Sequence, residues 1–361
     1  MPVRLGLNVG YWSSTAANPA RAQAWLDVAV EAERLGYSCV WVAEAYGSDA
    51  ATVLGYLAAR TSTIDLGAAV FQIPARTPAM TAMTAATLDT LTGGRFRLGL
   101  GVSGPVVSEG WHGVRFDAPL ERTREYVEIV RRALRREKLR YSGRHYTLPL
   151  PDGPGKPLHL QLRPPRAELP VYLAAIGPRN LELTGEIADG WLPVFFSPEH
   201  AGEQVRHLRA GADAAGRPLT GPGGFDIAPS VPVVGPDWRK CADAVRGYAA
   251  LYLGGMGSRE KNFYNAHARR MGFEREADEV QRLYLERNYQ AAMQAIPVEF
   301  LDATSLLGPV DRIADRLQAY ADAGVGTLNV LPFPAGGGSG SLDAVATLRA
   351  AAEACDKAGV S

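Results

Sequence analysis

The chain has few of the residues that mark disulfide-bonded or metal-binding proteins. Its three cysteines, Cys39, Cys241 and Cys355, include no C-x-x-C pair, so we expect three thiols that are buried or incidental. The six histidines do not cluster, and neither an H-E-x-x-H motif nor paired carboxylates at ligand spacing occur. We therefore expect no metal site.

Membrane and nucleic-acid signatures are lacking as well. No apolar run reaches the length of about 18 residues that a membrane span needs, and the first ten residues are too short an apolar stretch for a signal peptide. The 38 basic and 38 acidic residues balance, so no net field favours nucleic acid or an anionic membrane. We expect a cytoplasmic protein with a small-molecule substrate and with neither nucleic acid nor a membrane as partner.

What the chain does have is a regular alternation of strand and helix patterns. Helix starts are marked by capping residues followed by a first-turn proline, as at Thr77-Pro78 and Gly177-Pro178. Eight apolar runs have the length of buried strands, at residues 3–9, 38–43, 64–71, 96–100, 171–175, 190–195, 225–234 and 327–331. This pattern predicts an α/β fold, the (β/α)₈ TIM barrel, with insertions at about 138–170 and 254–300.

In such a barrel the functional residues lie where the strands end. Glu44 follows the apolar run VWVA, and it is either an acid or base aimed into a pocket or a salt-bridged loop residue. His112, in the segment EGWHG, is either a proton donor or a loop histidine without a catalytic role. Aromatic residues near strand ends either line an apolar pocket or simply pack, and these are Trp111, Trp191, Phe195 and Phe196.

Two glycine motifs suggest phosphate binding. Gly99-x-Gly101-x-x-Gly104 matches G-x-G-x-x-G, but it follows the fourth strand, and we expect residues 105–110 to be a loop, so a nicotinamide site is disfavoured. The segment Ala175-Ile176-Gly177-Pro178-Arg179 opens a helix, where free backbone N–H groups suit a phosphate. A simple turn is the alternative for this pentapeptide.

Four long segments carry a family resemblance that spacing alone does not give. They read GYSCVWVAEAYGSD, LGAAVFQIPARTPAMTAMTAATLDTLTGGRFRLGLGVSGP, YLAAIGPRNLELTGEIADGW and GPVDRIADRLQAYADAGVGTLNV. They resemble the luciferase-like family of flavin and deazaflavin oxidoreductases, most closely the coenzyme F420-dependent branch related to methylenetetrahydromethanopterin reductase. The resemblance implies one domain over residues 1–361, a homodimer, and hydride transfer between deazaflavin carbon 5 and a small organic substrate.

Two alternatives remain within this resemblance. One is an FMN-dependent monooxygenase that receives reduced flavin from a separate reductase. The other is a family member that binds a flavin without turnover.

The resemblance also implies site residues. Ala175, Ile176 and Gly177 match the phosphate-binding turn of the family, and Ala69-Val70 falls where the family has a non-prolyl cis peptide behind the cofactor ring. The full set of expected cofactor-binding residues is Asn8, Ala69, Val70, Gln72, Gly101, Val102, Ser103, Gly104, Ala175, Ile176 and Gly177. The expected catalytic acid is, in order of preference, Glu44, Glu109 or His112.

Three positions depart from relatives with known substrates. Glu44 is followed by Ala45, where the family's sugar-phosphate dehydrogenases have an acidic residue and then histidine. Gly104 stands where those enzymes carry a glutamate, and Asn8 stands where methylenetetrahydromethanopterin reductases carry an acidic residue. Neither substrate is therefore assumed.

Overall fold

Eight parallel strands curl into a barrel in the computed structural model, which describes residues 2–11, 19–166, 168–219, 224–235, 237–257, 259–333 and 341–360. The seventh strand has two pieces, Asp226–Ile227 and Ser230–Val234, and the second piece is called β7 here. The other strands are β1 (Arg4–Tyr11), β2 (Cys39–Ala43), β3 (Asp65–Ala68), β4 (Phe96–Gly101), β5 (Val171–Leu173), β6 (Gly190–Trp191) and β8 (Thr327–Pro332).

Each strand pairs with its neighbour in chain order, and β8 pairs with β1 to close the barrel. The closing register places Gly6 opposite Asn329, and Asn329 lies opposite Ser230 of β7. The gap between β6 and β7 is closed by Gly190 opposite Asp226. The predicted TIM barrel is thus confirmed, with every predicted strand present.

Helices cover the outside of the barrel and begin where the caps predict. Asp49 accepts a hydrogen bond from the N–H of Thr52 at 2.7 Å, and Thr77 accepts one from Met80 at 3.2 Å. The helices that follow the strands are α1 (Pro19–Arg34), α2 (Ala50–Ala58), α3 (Pro78–Leu91), α4 (Pro105–Gly110), α5 (Pro119–Leu134), α6 (Pro178–Ile187), α7 (Ala201–Ala214) and α8 (Trp238–Ala250).

Both predicted insertions are present. The first contains a small antiparallel hairpin of Tyr141–Ser142 and Thr147–Leu148. The second follows a π-helical turn, Leu251–Gly255, and is helical. Its helices are α9 (Phe263–Arg270), α10 (Glu274–Leu285), α11 (Tyr289–Gln294) and α12 (Val298–Ala303), and the chain then continues through α13 (Val310–Asp322), β8 and α14 (Ser341–Ala358).

One short strand, Leu306–Leu307, was not predicted. It pairs with Val233 and Val234 at the end of β7. Two residues are too few to show a strand periodicity, so the sequence carries no signal for it.

The N-terminal half of the barrel interior is filled with side chains. Trp41 and Tyr172 pack edge to face with ring centroids 5.1 Å apart, and a Cβ on Gly67 would lie 2.3 Å from the Trp41 ring, so glycine is required there. Below them the Tyr172 hydroxyl donates to Asp226 at 3.0 Å, and Arg97 donates to that hydroxyl at 3.2 Å. Burial raises the pKa of Tyr172, so this phenol stays protonated. The open part of the barrel is therefore its C-terminal half.

All three cysteines are buried and unbridged, as predicted. No helix within the described ranges is long and apolar enough to cross a membrane.

Candidate active site

A cavity of about 1030 Å³ occupies the C-terminal mouth of the barrel. It is bounded by the ends of the strands on one side and by the second insertion on the other. The predicted site residues that line it are Asn8, Glu44, Ala69, Val70, Gln72, Gly101, Val102, Ser103, Gly104, Ala175, Ile176 and Gly177. Glu109 and His112 do not line it. The structure therefore brings most of these residues together, and their roles stay predictions.

The floor of the cavity contains the expected cis peptide. The bond between Ala69 and Val70 is cis, and it interrupts β3 before a short strand at Phe71–Gln72 pairs with the end of β4. A Cβ on Gly101 would lie 2.5 Å from Cγ2 of Val70, so only glycine lets β4 pass behind this valine. The position that the resemblance gave for the cis peptide is confirmed.

Gln72 joins the loops that follow β2 and β4. Its amide Nε2 donates to the carbonyl of Ala45 at 2.6 Å, and its Oε1 accepts from the Ser103 hydroxyl at 3.1 Å. The side chain is buried, so these bonds are shielded from water. Gln72 therefore holds the rim of the cavity in one arrangement.

Glu44 is bound on both carboxylate oxygens. Its Oε1 pairs with Nη1 of Arg76, and its Oε2 accepts from Arg76 Nη2 at 2.9 Å and from the N–H of Ala50 at 3.1 Å. Arg76 also pairs with Asp49 and lies 4.6 Å from the ring centre of Phe71. This is the geometry of the salt-bridged alternative. Glu44 anchors the start of α2, and its catalytic role remains a prediction.

The other two candidate acids lie around α4, outside the cavity. Glu109 is exposed, and its Oε1 accepts from the N–H of Phe116 at 3.0 Å. His112 follows α4, and its buried Nε2 has no hydrogen-bond partner among the described residues. Neither side chain reaches the cavity in this arrangement, and both assignments stay untested.

Residues 105–110 form a helix, so the prediction of a loop there was wrong. Proline at the first helical position supplies a preset φ, and Ser108 N–H donates to Gly104 at 2.8 Å while the Ser108 hydroxyl donates to Val114 at 2.7 Å. Six residues are too few to show helical periodicity, which is why the sequence did not reveal it.

The predicted phosphate turn lies at the cavity rim where α6 begins. Gly177 is the N-cap residue, and a Cβ placed on it would meet nothing within 4 Å, so the turn is open to a ligand. The carbonyls of the two residues before Gly177 are fixed by hydrogen bonds, because Trp191 Nε1 donates to Ala175 at 2.9 Å and Arg270 Nη2 donates to Ile176 at 3.3 Å. Pro178 has no N–H, and the Asn180 N–H donates to the Gly177 carbonyl at 3.0 Å, so the Arg179 N–H is the amide of the first turn without an acceptor within the helix. This arrangement suits an anion.

Another part of the cavity wall is aromatic, and we call the space that it borders the aromatic chamber. This chamber was not predicted from the sequence. Of the aromatics named above, Trp191, Phe195 and Phe196 are buried and do not line the cavity, so the packing alternative holds for them, and Trp111 is exposed. Helical periodicity in the second insertion predicts helices but not which neighbour they face. The chamber residues are Phe116, Tyr248, Tyr252, Phe263, Tyr264 and Phe333.

Comparison with known proteins decides the family. The sequence profile described as luciferase-like monooxygenase matches residues 7–327. The chain belongs to this family. A protein of Mycobacterium tuberculosis, provisionally named a coenzyme F420-dependent oxidoreductase, is 43% identical over 329 residues, which cover 90% of this chain and 93% of that protein. The expectation that this luciferase-like protein is an enzyme of the oxidoreductase class is confirmed.

Two further relatives carry reductase names. The 5,10-methylenetetrahydromethanopterin reductase of Archaeoglobus fulgidus is 27% identical over 296 residues, covering 81% of this chain and 85% of that protein. The solved coenzyme F420-dependent tetrahydromethanopterin reductase of Methanopyrus kandleri has a TM-score of 0.75 at 23% identity, covering 92% of this chain and 93% of the other. At that identity the structural likeness shows the shared fold.

The cavity of this luciferase-like protein fits a flavin-type cofactor with a phosphorylated tail. The open N-cap at Gly177 leaves space where a phosphate would approach the first amides of α6. The cis Ala69-Val70 segment presents backbone and small side chains to the cavity floor, which leaves room for a flat ring. No group of three or more metal-binding side chains occurs within the described ranges.

Proposed function

We propose that the protein is a coenzyme F420-dependent oxidoreductase that transfers a hydride between carbon 5 of the deazaflavin and a small organic substrate. The observation that carries this proposal is one cavity that combines the Ala69-Val70 floor with the open glycine cap of α6. The F420-based name of the Mycobacterium tuberculosis relative supports the same cofactor.

Three parts of the site would hold the cofactor. The turn Ala175-Ile176-Gly177 would bind the phosphate through backbone amides. The Ala69-Val70 floor would support one ring face, and the rim that Gln72 and Ser103 fix would bound the ring edge. A bound deazaflavin supplies or accepts a hydride and does not activate oxygen. The chain itself binds, orients and shields the reactants from water.

Side-by-side titration of the purified protein with F420 and with FMN tests the cofactor. We expect F420 to bind at least tenfold more tightly than FMN, a difference of about 1.4 kcal/mol. Tight FMN binding without F420 binding would instead identify the monooxygenase alternative.

A charge placed at the α6 cap tests the phosphate site. Gly177→Asp should fold normally because its Cβ has open space, yet it should weaken F420 binding about ten- to hundredfold through like-charge repulsion of about 1–3 kcal/mol. Gly202→Asp is the matched control, because it adds the same charge at the exposed start of α7, also without a Cβ clash. Equal F420 affinity in both variants would show that the phosphate does not bind at this turn.

A further inference from the structure

We propose that the aromatic chamber binds an elongated or bulky neutral compound whose one oxygen accepts a hydrogen bond from Ser230. The ligand class is a carbonyl compound, ketone or aldehyde, or the corresponding alcohol, with a large apolar body. The inference rests on the proposed function for its reaction, and it assigns recognition only, with no covalent step.

The first argument is the distribution of charge around the cavity. Among the described lining residues, the side chains charged at neutral pH are Glu44 and Arg179. Glu44 is neutralised by Arg76, and Arg179 lies at the start of α6 beside the phosphate turn. Within its described lining the chamber side therefore offers no ion pair to a charged substrate, and burying an unpaired charge there would be costly.

The second argument is the shape and rigidity of the chamber wall. Tyr252 packs against Tyr248 and Tyr264 with ring centroids 4.7 Å apart in each pair, and Tyr248 lies 5.6 Å from Phe333. Phe195 packs behind them, 5.4 Å from Tyr248. Rings that support one another in this way form a preorganised apolar surface, which gains affinity from contact area at little entropic cost.

The third argument is size. A cavity of about 1030 Å³ lies at the upper end of the range, roughly 300–1,000 Å³, that pockets for one drug-sized ligand occupy. A ring lying on the Ala69-Val70 floor leaves the chamber for a second ligand. Phe116 and Phe263, with centroids 6.4 Å apart, join the loop after α4 to the second insertion beside this space.

The fourth argument is a hydroxyl held in position. Ser230 Oγ accepts a hydrogen bond from Asn8 Nδ2 at 2.7 Å, and the Asn8 Oδ1 accepts from the N–H of Gly10 at 2.8 Å. Both side chains line the cavity. A hydroxyl that accepts one bond keeps its own hydrogen to donate, and within the described part of the chain that hydrogen has no protein acceptor. The geometry therefore presents one fixed neutral donor to a ligand oxygen.

A homologous series of methyl ketones, from 2-butanone to 2-nonanone, tests the ligand class by calorimetry. Each added methylene should tighten binding roughly fourfold, the change expected for burying one CH₂, until the chamber is full. Fatty acids of equal chain length should bind at least tenfold more weakly, because no cation lines the chamber among the residues that the structure describes. Affinity that is independent of chain length, or that favours the carboxylates, would overturn the proposal.

Two variants locate the binding. Ala244→Phe fills the chamber from α8 and should abolish the gain beyond the shorter ketones. Lys240→Phe adds the same ring one turn earlier on α8, at an exposed position that does not line the cavity, and should not. Ser230→Ala should raise the C=O stretching frequency of bound 2-nonanone, because the hydrogen bond that lowers it is lost. An unchanged frequency would show that Ser230 does not bond to the ligand oxygen. Equal ketone affinity in both phenylalanine variants would show that the ketone binds outside the chamber.

F420 titration of the same samples separates the two proposals. If F420 binds but ketone affinity does not depend on chain length, the proposal for the chamber is refuted and the proposed cofactor stands. Chain-length dependence without F420 binding would refute the cofactor while leaving the chamber.

Discussion

Replacing Arg76 by methionine removes the partner of a buried carboxylate at the mouth of the barrel. The Glu44 side chain is only 6% exposed and that of Arg76 only 13%, so water cannot replace the lost guanidinium. Removing one member of a buried pair costs about 3–5 kcal/mol. The N–H of Ala50 still donates to Glu44, which favours the lower end of that range.

The second ion pair of Arg76, with Asp49, adds little to the expected loss of stability. Asp49 is 48% exposed, and exposed ion pairs contribute about 0–1 kcal/mol. We therefore expect Arg76→Met to lower the free energy of unfolding by about 3 kcal/mol at pH 7. The double variant Arg76→Met/Glu44→Gln leaves no unpaired charge and should lose only about 1 kcal/mol.

Urea unfolding of the unmodified protein, Arg76→Met and the double variant measures these stability losses, with Arg60→Met as the control. Arg60 pairs with Asp27 at the surface, where both side chains are well exposed, so its loss should change stability by less than about 0.5 kcal/mol. An Arg76→Met loss no larger than the control's would refute the buried-pair reasoning. If Glu44→Gln instead lowered kcat without lowering stability, Glu44 would act as the catalytic acid.

Three further changes probe other parts of the chain. Burial lowers the pKa of His267 from 6.5 to about 4. Between these two pH values the unfolded chain binds a proton at His267 and the folded protein does not, so stability falls as the pH falls from 6.5 to about 4. His267→Gln should reduce the stability lost between pH 7 and pH 4 by about 2–3 kcal/mol in urea unfolding, and an unchanged pH slope would contradict this. Gly101→Ala should push Val70 into the cavity and weaken F420 binding. Gly110→Ala, at an exposed position outside the cavity lining where a Cβ has open space, should not; equal affinities by fluorescence titration would count against the tight floor. Met83 is 52% exposed on a face of α3 without exposed charge, so Met83→Glu should convert the expected homodimer to a monomer. Leu158→Glu on the first insertion should leave the dimer intact. Light scattering measures both masses, and a Met83→Glu protein that stays dimeric would show that the interface lies elsewhere.

The strands were predictable because each is an apolar run buried on both faces, a pattern that needs no knowledge of distant neighbours. The helix starts at Thr77-Pro78 and Gly177-Pro178 were predictable because capping and a first-turn proline are local signals. The cis peptide at Ala69-Val70 has no local signal in the chain, and only the family resemblance gave its position.

The undetected parts of the site depend on long-range contacts. Arg76 lies 32 residues from Glu44, and no spacing rule connects an arginine after β3 with a carboxylate after β2. Ser230 looks like an ordinary strand residue until the barrel closes and brings Asn8 beside it, 222 residues away. The aromatic chamber depends on how the second insertion docks, which amphipathic periodicity does not specify.

The packed N-terminal half of the barrel has a kinetic consequence. Trp41 and Tyr172, with Arg97 and Asp226 beneath them, close that end, so molecules enter the cavity from the C-terminal side. A cofactor ring on the Ala69-Val70 floor and a substrate in the chamber would share this entrance. Reactants that share one entrance in this way follow a compulsory order, in which the deeper molecule binds first and leaves last.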